Sequence, residues 1–68
     1  DFSSIEKAVK DSLLNGSKHL YELISLLQDY SEDDVIQVVR WLIDNNKVIR
    51  HKDEKLSWYS QMDLGFDL

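Results

Sequence analysis

Val35-Ile36-Gln37-Val38-Val39-Arg40-Trp41-Leu42-Ile43-Asp44-Asn45-Asn46-Lys47-Val48-Ile49 is the stretch whose reading decides the fold. Val35, Val38, Val39 and Leu42 recur at steps of three and four, which places them on one face of a helix. Ser31 stands just upstream as an N-cap, and Glu32-Asp33-Asp34 set carboxylates at the positive end of the helix dipole. Asn45 and Asn46 tolerate the left-handed conformation that ends a helix, and Val48-Ile49-Arg50-His51 then supplies β-branched residues suited to a strand. The period therefore switches from helical to extended at Asn46.

Outward from this passage the pattern is completed on both sides. Lys52-Asp53-Glu54-Lys55 reads as a polar turn, and Leu56-Ser57-Trp58-Tyr59 as a returning strand with Leu56 and Trp58 on one face. Upstream, Ser17 is expected to cap a second helix with an apolar stripe of Leu20, Leu23, Ile24 and Leu27, broken at Gln28-Asp29-Tyr30. Ser3-Ser4-Ile5-Glu6 has the capping-box form, so a first helix is expected over about residues 4–15. It carries Ile5, Ala8, Val9, Ser12 and Leu13 on one face and stops at Gly16. The predicted fold class is α+β, mostly α: a three-helix bundle with a C-terminal two-stranded β-hairpin.

Residues 1–60 are read as this domain, and residues 61–68 as an acidic-apolar tail or a linker to the rest of a larger protein. The first residue is Asp1 rather than Met, which is expected of a segment of a longer chain. Sixty-eight residues leave room for a single core, near the lower limit for folding without disulfides, metals or a partner.

Three helices followed at once by a hairpin is the order of a winged helix-turn-helix. The stretch 35–49 resembles the superfamily's passage from recognition helix into wing, x-V-x-x-x-L-x-x-L-x-x-x-G-x-I/V, with Asn46 where glycine is commoner. Trp58-Tyr59 looks like the end of a returning wing strand. The resemblance covers Ser3 to Ser60 and implies a module of DNA replication, repair or transcription. The superfamily holds members that bind DNA and members that bind only protein. A plain three-helix bundle with a hairpin is the alternative.

Charge separates these roles. The chain carries 13 acidic against 8 basic residues, net −5, whereas nucleic-acid binders gain affinity by neutralising phosphates with Lys and Arg. At ~100° per residue, the face of helix 3 opposite its apolar stripe carries Asp33, Gln37, Arg40 and Asp44, with Asp34 and Trp41 on its edge. Three carboxylates stand there against one guanidinium, so insertion of helix 3 into a groove is opposed by like charge. Helix-dipole complementation explains the acids structurally, and the repulsion follows all the same.

The favoured expectation is a protein partner met by Asp33, Gln37, Arg40, Trp41 and Asp44 together with the wing. A large aromatic beside polar groups is how contact hot spots look, and the competing role for Trp41 is packing against the wing or Trp58. Ile36 and Ile43 widen the apolar area on the opposite flank. The alternative is DNA or RNA binding led by the wing residues Lys47, Arg50, Lys52 and Lys55, with Lys7, Lys10 or Lys18 contributing. A third reading docks the domain on its own parent chain through Trp41, Trp58 and Leu64-Gly65-Phe66.

Catalytic equipment is not expected, nor a cofactor, a metal or a small-molecule substrate. The chain has no cysteine, which removes disulfides and thiolate zinc sites and fits a cytoplasmic or nuclear setting. No apolar run approaches the ~18 residues of a membrane span. His19 and His51 fall on different elements, Ser4-Ile5-Glu6-Lys7 matches an acyl-transfer motif without its companions, and Asn15-Gly16-Ser17 reads as a helix stop. Two glycines do not make a phosphate loop.

Overall fold

The computed structural model describes residues 1–59. Three helices, α1 (Phe2–Leu14), α2 (Leu20–Leu26) and α3 (Glu32–Asp44), precede two strands, β1 (Val48–Arg50) and β2 (Leu56–Trp58). The strands pair antiparallel with Val48 opposite Trp58, Ile49 opposite Ser57 and Arg50 opposite Leu56. The predicted class, three helices with a two-stranded hairpin, is what the chain adopts. The tail, residues 61–68, lies outside the described residues.

Helix α3 begins as expected. Ser31 accepts from the Asp34 backbone N–H at 3.2 Å, and Val35, Val38, Val39 and Leu42 are buried. Asn46, at φ 62°, takes the left-handed conformation after the helix, and its N–H returns to the Ile43 carbonyl. Asn adopts this region at lower cost than other non-glycine residues, which is how the chain turns into β1 without glycine.

The start of α1 corrects the expectation. Asp1, rather than Ser3, is the N-cap, its carboxylate accepting from the Ser4 N–H at 2.9 Å, and the helix opens at Phe2. An Asp cap serves as well as a Ser cap, and starting earlier sets Phe2 in line with Ile5 and Val9, buried residues at the same helical steps.

Helix α2 corrects it again. Ser17 caps nothing; His19 is the N-cap, with Glu22 Oε1 accepting from its backbone N–H at 2.8 Å. The reason lies in the neighbouring residue. Lys18 forms an antiparallel bridge with Leu56, its N–H donating to the Leu56 carbonyl at 3.0 Å and its carbonyl receiving the Leu56 N–H at 2.7 Å. Two backbone bonds hold the segment extended, so the helix starts only after it.

One core joins all five elements: Ile5, Val9 and Leu13 from α1, Leu23 from α2, the four α3 residues, and Val48, Leu56 and Trp58 from the hairpin, with Leu27 beside them. Each fully buried aliphatic side chain contributes about 1.5–3 kcal/mol relative to exposure. Ser57 is buried too, and its Oγ lies 2.9 Å from His51 Nε2, so the polar group keeps a partner. The hairpin is thus fixed against α1 and α3.

Candidate functional site

With Val35, Val38, Val39 and Leu42 turned inward, α3 presents Asp33, Asp34, Gln37, Arg40, Trp41 and Asp44 to solvent. The outward line expected from the sequence is therefore formed. Its acidic first turn, Glu32-Asp33-Asp34, sits at the positive end of the helix dipole, where each carboxylate contributes about 0.3–1 kcal/mol.

Trp41 stands on the α1 side of this line, 42% exposed. The ring it meets is not Trp58, and the hairpin side reaches it through Lys47. Phe2, also 42% exposed, meets it edge to face with ring centroids 5.1 Å apart, and the Lys47 ammonium lies 5.8 Å from the Trp41 ring centroid. Phe2 is a surface residue that sequence reasoning does not single out. A signal exists in Asp1 as a cap candidate and in the spacing Phe2–Ile5–Val9, but the Ser3 capping box competes with it.

The four cations expected to act together on the hairpin line different hollows. Lys47 faces Trp41 and borders a hollow with Lys7, Lys10 and Trp58, where the Lys10 ammonium sits 5.6 Å from the Trp58 ring centroid. Lys52 and Lys55 border a shallow depression at the hairpin tip with Ser17, His51 and Asp53. Arg50 turns to the other flank of α3.

That flank is a trough between α2, α3 and β1. Leu20, Ile36, Val39 and Ile43 line it, with Arg40, Asp44 and Arg50 beside them. It runs on past Leu20, Ile43 and Arg50 toward His19, Tyr21, Asp53 and Glu54. Ile36 and Ile43, which widen the apolar face in the sequence, are half-buried in its wall. Neither guanidinium forms an ion pair or hydrogen bond with any described residue.

The two histidines and Lys7 have partners within the fold. The His19 ring stacks on Tyr21 with centroids 5.1 Å apart, whereas His51 meets Ser57. Lys7 pairs with Asp11 at 3.3 Å, away from the Ser4 of the S-x-x-K string. Among the described residues no group of three or more His, Cys, Asp or Glu is placed to hold a metal ion, and no helix is long and apolar enough to cross a membrane. No family model, curated protein or solved structure matches the chain.

Proposed function

We propose that this chain is a non-catalytic interaction module of winged-helix type that meets a protein partner through the outer face of α3 and the adjoining hairpin. The observation that carries the reading is the composition of that face. Asp33, Asp34, Gln37, Arg40 and Asp44 stand in water beside Trp41 and Phe2, two exposed aromatics already held edge to face. Pre-ordered aromatics rimmed by polar groups suit a protein partner, because little side-chain entropy is lost on binding.

The same face opposes nucleic acid, since a phosphate backbone would approach at least three carboxylates for one guanidinium. The hairpin cations give that alternative less support than their number promises: Lys47 is engaged by Trp41, and Asp53 lies among Lys52 and Lys55. The reading extends to a module within a larger protein of DNA replication, repair or transcription, at home in the cytoplasm or nucleus.

The test compares the wild-type chain, Arg40→Glu with Trp41→Ala, and Lys52→Glu with Lys55→Glu. Each is immobilised and challenged with extract and with labelled duplex DNA. Saturable protein binding that disappears only in the α3 variant is expected. Duplex binding that disappears only in the hairpin variant would overturn the proposal.

A further inference from the structure

Ser3, Glu6, Lys7 and Lys10 recur at steps of three and four along α1 and so share one helical face. With Lys47 and Trp58 they line the hollow between α1 and the hairpin. Among the described residues, three of the chain's eight cations border it against Glu6 alone of its 13 acids, in a chain of net charge −5. The trough on the other flank of α3 has no such contrast, because Asp44, Asp53 and Glu54 line it together with Arg40 and Arg50.

Two of these cations are held without being neutralised. The Lys10 and Lys47 ammoniums lie 5.6 and 5.8 Å from the ring centroids of Trp58 and Trp41, and neither forms an ion pair with a described residue. An aromatic face attracts an ammonium through its quadrupole yet carries no net charge. Lys10 and Lys47 are therefore positioned and still attract an anion, whereas Lys7 is met by Asp11. Beside Lys47 stand the exposed rings of Phe2 and Trp41. Positioned cations next to a preformed apolar pair suit a segment that carries carboxylates and an apolar anchor together.

We propose that this hollow and the Phe2–Trp41 pair receive an acidic segment of the protein partner, with an apolar side chain seated on the two rings and carboxylates meeting Lys10 and Lys47. The inference rests on the interaction reading and names the chemistry of the partner on the α1 side of α3. Asp33 and Asp34, at the start of α3, repel the same carboxylates and so hold the segment to the α1 side. They also oppose a nucleic-acid strand in its place, because bases stacked on Phe2 and Trp41 would bring phosphates toward those acids.

The experiment titrates the isotope-labelled full chain with a blocked peptide, Asp-Glu-Phe-Asp-Glu, and follows the backbone amide shifts. Saturable shifts centred on Phe2, Lys7, Lys10, Trp41 and Lys47 are expected. Lys10→Gln with Lys47→Gln should weaken the affinity about tenfold, from roughly two- to fivefold for each exposed pair. Both lysines are exposed, so the double variant keeps the core, and its own spectrum reports whether it does. The same peptide with Ala in place of Phe should bind more weakly. Shifts that do not saturate or centre elsewhere, equal affinity for the Ala peptide, or undiminished affinity in the lysine variant overturns the proposal. An oligothymidine that shifts the same residues at lower concentration than the peptide also overturns it and assigns the cations to phosphates. The peptide results leave the interaction reading undecided, because that reading falls on the extract and duplex comparison of the α3 and hairpin variants.

Discussion

Trp41→Ala separates a surface anchor from a core residue. With 42% of its surface in water, Trp41 forfeits roughly 100 Å² of buried apolar area on truncation, about 2.5 kcal/mol as an upper estimate that already includes most of its packing against Phe2. The exposed cation–π interaction with Lys47 adds about 0.5–1 kcal/mol. The expected destabilisation is therefore about 2–3 kcal/mol. Trp58, only 9% exposed and packed in the core, is expected to lose about 3–5 kcal/mol in the same exchange. A domain of this size has roughly 3–9 kcal/mol in all. Trp41→Ala should therefore retain more of that stability than Trp58→Ala, with the higher urea midpoint of the two. Urea denaturation followed by far-UV circular dichroism measures both without relying on the lost fluorophore. Equal destabilisation of the two variants would refute the assignment of Trp41 to the surface, and with it the case for a preformed aromatic pair.

Other substitutions test single steps of the structure. Asp1→Ala should cost about 1 kcal/mol and Ser3→Ala less than about 0.5, measured by thermal melts, because Asp1 is the cap. Asn46→Ala should cost about 1 kcal/mol while Asn46→Gly is tolerated or stabilising, since φ is 62° there. Glu54, at φ 72°, should likewise gain up to about 1 kcal/mol as Glu54→Gly, read as a shift in the urea midpoint. Ser57→Ala should destabilise by about 0.5–1.5 kcal/mol in the same assay, because it strips the buried hairpin of the His51 hydrogen bond.

The parts of the fold legible in the sequence are those where one physical signal has no competitor. In α3, the apolar period, the Ser31 cap and the left-handed Asn46 all agree, and each is found in place. At the start of α1 two adequate caps stand two residues apart. The earlier start brings Phe2 against Trp41, a tertiary contact that the capping pattern alone does not contain. The start of α2 departs from expectation for a related reason: the Lys18–Leu56 bridge joins residues far apart in sequence, so Ser17 cannot reveal that its neighbour is already committed to the hairpin.

The candidate site divides the same way. The outward residues Asp33, Gln37, Arg40 and Asp44 follow from helical geometry alone, and all are exposed. Lys47, Arg50, Lys52 and Lys55 do not form one group, because neighbours along a short hairpin point to opposite faces and a long side chain goes where an aromatic ring or open groove receives it. In the sequence the trough shows only as Ile36 and Ile43 at the margin of the α3 stripe. Its second wall comes from Leu20 and Arg50, which the sequence places on other elements.

The most direct test of the account is titration of the chain against a labelled mixed-sequence duplex, at low salt and again near physiological salt. The acidic α3 face and the dispersed hairpin cations predict no saturable binding at either. Micromolar or tighter affinity that falls steeply as salt rises would contradict the account and make the hairpin a phosphate-binding element.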